Sequence, residues 1–265
     1  MANDNNAMMA SKDELGDRMK AYEAVEAQRR LDPMLPIAVR IDGRGFSKFT
    51  KGYKRPFDPR ISNAMRETCA FLVEESQARI GYVQSDEISL ILQADEGQGS
   101  FFDGRVQKLS SVLASLASAK FNRIVGDKNL AAFDARVWQV PNRSEAANIL
   151  MWRALDCRKN AVSMVARAHF PHQDLDGKNQ GQMLDMLSGI GVDYDDYPDR
   201  DRFGTYYARR SHEKEIDDVT WAQIPEKNRP DSRTVLRTAV EVLPIDFFGD
   251  VRNRVGVIFA AEDPE

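Results

Sequence analysis

Two short segments of the sequence carry side chains with clear chemical potential. Asp42 is followed by Gly43, and Ser85, Asp86 and Glu87 follow one another further along the chain. Carboxylates that are brought together beside a glycine and basic residues suit a site for two Mg²⁺ ions that handle a nucleoside triphosphate. Each segment alone is more typical of an ordinary turn, because Asp, Gly and Ser are turn residues. The chemical interpretation therefore depends on whether the fold joins the two segments.

The hydrophobic pattern predicts the elements that position these segments. Ile37, Val39 and Ile41 alternate with Ala38 and Arg40, which is the period of a half-buried strand that ends at Asp42. The spacing of later apolar residues predicts a helix over 60–79, followed by two strands, 80–84 and 88–92, that are joined by a tight turn. A second helix over 103–125 and a last strand over 133–140 follow.

This order of elements is that of the split βαβ unit of ferredoxin-like domains. In such a sheet the third strand lies between the first two and runs antiparallel to the first. The C-terminal end of the first strand therefore lies beside the N-terminal end of the third. We expect Asp42 to meet the Asp86–Glu87 pair at that edge, within an α+β fold of βαββαβ topology.

The rest of the chain divides into segments of different pattern. Residues 1–13 are polar and predict a disordered N-terminus, followed by a helix over about 14–30. Further on we expect a helix from a Ser144 cap to about Lys159, a short helix at 180–187, a strand at 203–209 and two β-rich runs at 233–243 and 251–260. The predicted domains are a catalytic domain at 14–141, a helical and strand region completing it at 142–210, and a β-containing C-terminal extension at 211–265.

Composition excludes several classes of protein. The chain has 265 residues and a net charge of −4, which argues against coating nucleic acid by bulk charge, so any such contact must be local. The two cysteines, Cys69 and Cys157, are too few for a disulfide scaffold and fit a reducing cytoplasm. No apolar run approaches the ~20 residues of a membrane span, and the first residues lack a signal-peptide profile. We expect a cytoplasmic protein with no membrane partner.

Positive charge is concentrated in two places. Between Arg44 and Arg60 there are six basic residues and one acid, so this stretch is able to meet phosphate, although such a run is also typical of a solvated loop. Arg105 and Lys108 are three residues apart, on one face of the helix predicted from Asp103. They suit a triphosphate, or else form a solvated first turn.

Several motifs together resemble one family. DGRGFSKFT at 42–50, RPFD at 55–58, YVQSDEISLIL at 82–92, FDARVWQVP at 133–141 and WRALDCRKN at 152–160 occur in the order typical of the tRNA-His guanylyltransferase family. The resemblance spans roughly residues 14–210. It implies a polymerase palm-type catalytic domain, extension of RNA in the 3′-to-5′ direction, and a homotetramer.

The resemblance also implies roles for individual residues. Asp42 and Asp86 would bind two Mg²⁺ ions together with the Gly43 carbonyl, and Glu87 would complete the acidic cluster. Arg105 and Lys108 would hold the triphosphate of a second nucleotide or of the activated RNA end. The loop that starts at Asp42 and the turn at Ser85 would contact GTP, ATP or another NTP. The residues concerned are Asp42, Gly43, Arg44, Gly45, Phe46, Ser47, Ser85 and Asp86. Contacts to the tRNA acceptor stem are expected from Lys51, Lys54 and Arg55, while Arg158 and Asn160 either contact RNA or only finish a helix.

One motif departs from the eukaryotic members of the family. Where these carry DCHINN, this chain has Arg158 in place of the histidine and Ala161 in place of the second asparagine. The chain therefore resembles the bacterial and phage branch, which implies templated repair of tRNA 5′ ends or guanylate addition to tRNA-His. Two alternatives remain open: a palm-type nucleotide cyclase, which needs no RNA, and a non-catalytic RNA-binding module.

Overall fold

One antiparallel sheet with helices on both faces organises the described residues, which are 4–95, 97–126 and 129–265 of a computed structural model. The strands are β1 (Ile37–Gly43), β2 (Ile80–Gln84), β3 (Glu87–Leu92), β4 (Phe133–Gln139), β5 (Thr205–Glu215) and β6 (Thr234–Leu243). The helices are α1 (Asp4–Ala27), α2 (Phe46–Phe49), α3 (Pro59–Ser76), α4 (Val106–Val125), α5 (Arg143–His169), α6 (His172–Leu175), α7 (Gln180–Gly189), α8 (Asp199–Arg202), α9 (Asp218–Gln223) and α10 (Arg254–Phe259).

The strand order β4-β1-β3-β2-β5-β6 confirms the predicted topology of the first four strands. β3 lies between β1 and β2 and is antiparallel to both. Asp42 lies directly opposite Glu87 on β3 and opposite Asp134 on β4. The register therefore brings the two chemically interesting segments to one edge of the sheet.

The alternation of β1 separates two hydrophobic cores. Val39 and Ile41 point to the face that is covered by α3 and α4, where they are buried with Leu72. Ala38 points to the opposite face and packs with residues of α5 and α10 such as Leu150. Each fully buried Ile or Leu contributes roughly 1.5–3 kcal/mol, so a strand covered on both faces is a rigid support for the site at its end.

Helix α4 begins three residues later than predicted. Phe102 and Asp103 adopt positive φ, and Gly104 has φ 65. A Cβ at Gly104 would lie 2.8 Å from the carbonyl oxygen of Leu31. The close approach of the Leu31 backbone therefore requires glycine at position 104. Arg105 is consequently the N-cap residue, and Lys108 lies in the first turn.

Helix α5 also differs from its prediction at both ends. Its N-cap is Asn142, whose side chain accepts a hydrogen bond from the backbone N–H of Glu145, and Ser144 lies inside the helix. It continues to His169, ten residues beyond Lys159. The continuation is stabilised by packing, because Val162 and Val165 are buried beyond the expected end.

The two ends of the chain require further corrections. Helix α1 begins at Asp4, inside the segment predicted to be disordered, because its Ala, Met, Lys and Glu residues favour helix; residues 1–3 lie outside the described residues. The boundary expected at residue 210 falls within β5, which pairs with β6 from Tyr206 to Glu215, so β6 of the C-terminal extension belongs to the same sheet. The second β-rich run is instead helix α10, because Val257 and Ile258 are buried against α5.

Candidate active site

A two-residue turn holds the second acidic segment against the end of β1. Gln84, the last residue of β2, pairs with Glu87, the first residue of β3, which leaves Ser85 and Asp86 as the turn. Ser85 has φ 48, a left-handed conformation that few residues other than glycine adopt. The backbone N–H of Gly43 donates to the carbonyl oxygen of Asp86 at 3.1 Å. This bond joins the turn directly to β1 beside Asp42.

The two aspartates repel each other in a partly dehydrated place. Burial, and then the negative charge of Asp42, raise the pKa of Asp86 to about 6. Burial and the neighbouring Asp134 raise the pKa of Asp42, although Arg136 and Arg40 oppose that shift. Negative charge is therefore concentrated at this edge, as at a site for cations.

Glu87 differs from these two carboxylates because it is already neutralised. Its oxygens accept two hydrogen bonds from the buried Arg153, at 2.6 and 2.7 Å, and Arg40 lies 3.9 Å from it. Burial nevertheless raises the pKa of Glu87. Glu87 lies opposite Asp42, as expected, and its charge is balanced by arginine, while its part in the acidic cluster stays a prediction.

A cavity of about 580 Å³ opens in front of the aspartates. Helix α5 forms one wall, with Asp156, Asn160 and Arg167 on the same face. The loop after β1 and the start of α3 form the other wall, which includes Lys54 and Arg55. A cavity with carboxylates at its base and cations around it suits a polyphosphate that bridges the two through metal ions.

The glycine-containing loop after β1 contributes fewer groups than expected. Ser47 lines the cavity. Phe46 also touches it but is mainly a core residue, 8% exposed and packed against Phe121 and Phe133. Arg44 and Gly45 are exposed and do not line the cavity, and the N–H of Arg44 donates to Ala132.

Asp58 fixes the far end of this loop. Its carboxylate caps α3 by accepting from the N–H of Arg60 at 2.9 Å, and it also accepts from the N–H of Lys54 at 3.0 Å. Despite burial, hydrogen bonds from the side chain of Arg60, and then these two backbone bonds, lower the pKa of Asp58 to about 2. The ionised side chain thereby holds the basic wall of the cavity against α3.

The structure does not bring Arg105 and Lys108 to the aspartates. The N–H of Val106 donates to Arg29, in the segment that leads into β1, so α4 starts at the end of the sheet opposite Asp42. A seven-residue strand spans about 20 Å. Arg105 instead lies 3.6 Å from Asp103, and Lys108 lies over the ring of Phe102.

The predicted RNA-binding residues divide into two groups. Lys54, Arg55 and Asn160 line the cavity. Lys51 is exposed beside it on the same loop, and Arg158 lies on another face of α5, over the ring of Phe247. The helical period explains this, since Arg158 is two residues from Asp156 and so points elsewhere.

Sequence reasoning missed Arg153, Asp134, Arg136 and Arg167. The βαββαβ topology carries a signal for Asp134, because the fourth strand lies beside the first, where Asp134 is in register with Asp42. The ion pair of Arg153 carries no local signal, since its partner is distant in the chain.

Residues 4–95, 97–126 and 129–265 contain no group of three or more His, Cys, Asp or Glu side chains arranged to hold a metal ion. No helix in them combines the length and apolar character that crossing a membrane requires.

Comparison with known proteins agrees with this geometry. Residues 16–141 match the family model described as Thg1: tRNAHis guanylyltransferase. A bacterial tRNA(His) guanylyltransferase (Thg1)-like protein in complex with ATP is 39% identical, with a TM-score of 0.70 over 73% of this chain and 88% of that chain. Another structure described in the same words, in complex with GTP, is 32% identical, with a TM-score of 0.67 over 86% and 90%. The tRNA(His) guanylyltransferase of Schizosaccharomyces pombe is 27% identical over 73% of this chain and 82% of its own length.

The sheet and its paired aspartates define a palm-type nucleotidyltransferase. The two bacterial structures at more than 30% identity show which family of nucleotidyltransferases the chain resembles. The chain belongs to the tRNA(His) guanylyltransferase family. The resemblance inferred from the motifs is thereby confirmed.

Proposed function

We propose that this enzyme is a Mg²⁺-dependent nucleotidyltransferase that adds nucleotides to the 5′ end of a tRNA in the 3′-to-5′ direction. The observation that carries the proposal is the meeting of Asp42 and Asp86 at the base of a cavity with basic walls. Bacterial relatives bound to ATP and GTP support the choice of nucleotides. The tRNA substrate is suggested by the names of the relatives.

The donor set fits Mg²⁺. This ion is usually held by one or two carboxylates together with substrate phosphates and water, so the two aspartates suffice without a third protein carboxylate. Burial, and then the negative charge of Asp42, raise the pKa of Asp86, and a divalent cation would balance the charge of the two aspartates. We assign Asp42, Asp86 and the Gly43 carbonyl as its ligands, with room for two ions. When bound, Mg²⁺ neutralises phosphate charge and stabilises attacking and leaving oxygens.

The reaction consists of two phosphoryl displacements. In the first, an oxygen of the RNA 5′-monophosphate attacks the α-phosphorus of ATP, so that pyrophosphate leaves and an adenylylated end forms. In the second, the 3′-hydroxyl of the incoming GTP or other NTP attacks that end, its proton is lost and AMP leaves. A 5′-triphosphate end needs only the second step and releases pyrophosphate.

The protein's own contribution to both displacements is positioning and charge. Ser47 and Ser85 lie where they can donate to phosphate oxygens, and Lys54, Arg55 and Arg167 provide positive charge around the cavity. No covalent protein nucleophile is needed for this chemistry. We extend the proposal to a homotetramer in which Arg105 and Lys108 serve the triphosphate held at the carboxylates of a neighbouring copy.

We propose templated addition to shortened tRNAs as the main activity. Arg158, which stands where the eukaryotic members carry histidine, lies on a face of α5 that does not line the cavity. An unpaired base on the 3′ strand of the acceptor stem can select the incoming nucleotide by base pairing. Lys51, Lys54 and Arg55 would then hold the stem through phosphates, which position without specifying sequence.

The test offers each of the four NTPs, with ATP and Mg²⁺, to tRNAs shortened at the 5′ end and carrying different opposing bases. Addition of the matching nucleotide supports the proposal. Strict guanylate addition to intact tRNA-His, abolished by an anticodon change, would contradict the templated activity. Formation of a cyclic nucleotide without RNA would favour a cyclase, and RNA binding without any transfer would favour a non-catalytic module.

A further inference from the structure

A side recess of about 40 Å³ opens from the catalytic cavity at the end of β2. Ser85 and Asn160 line both spaces, so a substrate group entering the recess stays next to the catalytic turn. A volume of this kind holds about three water-sized atoms, which is the scale of the oxygens of one phosphate group. The recess therefore has room for a single small polar group.

Two arginines from different elements converge on this recess. Arg66 comes from the middle of α3 and Arg200 from α8, and both line it. Burial, and then the positive charge of Arg200, lower the pKa of Arg66. Across residues 4–95, 97–126 and 129–265, no salt bridge joins either guanidinium to a carboxylate.

The neighbouring Arg202 differs from Arg66 and Arg200 because it forms salt bridges. It is ion-paired with Asp195 and with Asp199, on the other side of the same short helix. Near Arg66 and Arg200 the lining carboxylate is Asp201, so the recess keeps an excess of one positive charge. An anion bound between two positive charges that are not fully balanced lowers the repulsion between them.

We infer that Arg66 and Arg200 form a subsite for a phosphate group of the substrate, distinct from the cations that wall the main cavity. Guanidinium groups present fixed forks that match phosphate oxygens, and two forks from different elements define one position. The inference rests on the proposed function for its choice of phosphate among anions. The phosphate belongs either to the nucleotide or to the RNA strand, and the experiment below separates these two sources.

The experiment measures equilibrium binding of two probes, ATP and a 5′-phosphorylated RNA hairpin. The variants are Arg66→Gln, Arg200→Gln and Arg66→Lys. Arg237→Gln is the matched control, because Arg237 is exposed on β6 opposite His212, far along the hairpin from the recess. Urea unfolding of each variant confirms that it is folded.

We expect both glutamine variants to bind one of the probes about tenfold more weakly or worse, as for the loss of a charge-assisted contact. Arg66→Lys should recover part of the loss, and Arg237→Gln should bind normally. A loss for ATP assigns the phosphate to the nucleotide, and a loss for the hairpin, with a salt dependence reduced by about 0.7–0.9 in logarithmic slope, assigns it to RNA. Unchanged affinity for both probes in folded variants overturns the subsite. Because binding is measured without turnover, failure of nucleotide transfer is a separate result.

Discussion

Arg153 and Glu87 form a buried bidentate ion pair, with Nε 2.6 Å from Oε1 and Nη2 2.7 Å from Oε2. Arg153 also donates to Asp156 at 2.8 Å and lies over the ring of Trp152. Since Glu87 lies opposite Asp42 in the sheet, the pair joins α5 to the strand end that carries Asp42. It also removes one negative charge from a place where two others already repel.

Loss of Arg153 should therefore destabilise the fold strongly. We expect Arg153→Met to lower the free energy of unfolding by about 3–5 kcal/mol, because the buried Glu87 loses both short hydrogen bonds and keeps only Arg40, 3.9 Å away, as an ion-pair partner. The double variant Arg153→Met with Glu87→Gln should lose less free energy of unfolding than the two single variants lose together. Urea denaturation measures all three, and Lys159→Met, at an exposed position of the same helix, is the control. Additive losses would show that the pair is not coupled.

The two aspartates should behave in the opposite way. Asp42→Asn or Asp86→Asn should reduce nucleotide addition by several orders of magnitude, because each removes a charge from the metal site. The melting temperature of the metal-free protein should stay the same or rise, since repulsion between two partly buried carboxylates is relieved. Turnover and thermal unfolding are measured on the same samples, with Asp174→Asn at an exposed position as control. Full activity in either variant would disprove the two-metal assignment.

Asp58 should give the fold an acid-sensitive component. Its pKa is about 2 in the folded chain against a usual value of 3.8, so the ionised form is favoured by folding. The stabilisation is fully present above the usual value and is lost as the pH falls toward about 2. We expect Asp58→Ala to cost about 1–2 kcal/mol at pH 7, as for loss of a helix cap, and less at pH 2.5.

The matched variant for this effect is Asp58→Asn, which keeps a cap acceptor but has no titrating charge. It should be less destabilised than Asp58→Ala at pH 7 and should lack the same pH dependence. Urea unfolding at several pH values decides the matter. A constant difference between the wild type and Asp58→Ala down to pH 2.5 would contradict the assignment.

The sequence was sufficient to predict the meeting of Asp42 with the Asp86–Glu87 pair because two general rules apply. Alternation defines β1, and the βαββαβ order leaves one arrangement of the strands. The side chains at the strand ends follow from the register alone. Arg153 could not be found in this way, since its ion pair depends on how α5 lies across the sheet, which no local pattern encodes.

The helix boundaries were missed for a different reason. The start of α4 is set by Gly104 against Leu31, and the length of α5 by burial of Val162 and Val165; both are tertiary contacts. Likewise, Val257 and Ile258 belong to residue types that favour strands, but burial against α5 makes this segment a helix. Helix and strand propensities apply to these segments in isolation, whereas tertiary packing determines the conformation that they adopt in the fold.

The position of Arg105 and Lys108 leads to the last prediction. The family resemblance gives both residues a role at a triphosphate, yet α4 starts at the end of the sheet opposite Asp42. A single chain cannot satisfy both statements, whereas a homo-oligomer can, if these cations serve the carboxylates of a neighbouring copy. We therefore expect complementation when chains carrying Asp42→Asn are mixed with chains carrying Arg105→Ala and Lys108→Ala.

With random pairing of equal amounts, about a quarter of the sites combine intact carboxylates with intact cations, so about a quarter of the wild-type activity should return although each variant alone is inactive. Co-expression of the two chains with different tags allows the mixed oligomer to be purified and assayed for nucleotide addition. A mixture of Asp42→Asn with Asp86→Asn is the control, because both changes damage the same carboxylate pair and no pairing restores it. If the first mixture is as inactive as this control, Arg105 and Lys108 do not act on a neighbouring copy, and their role at the triphosphate is excluded by their distance from Asp42.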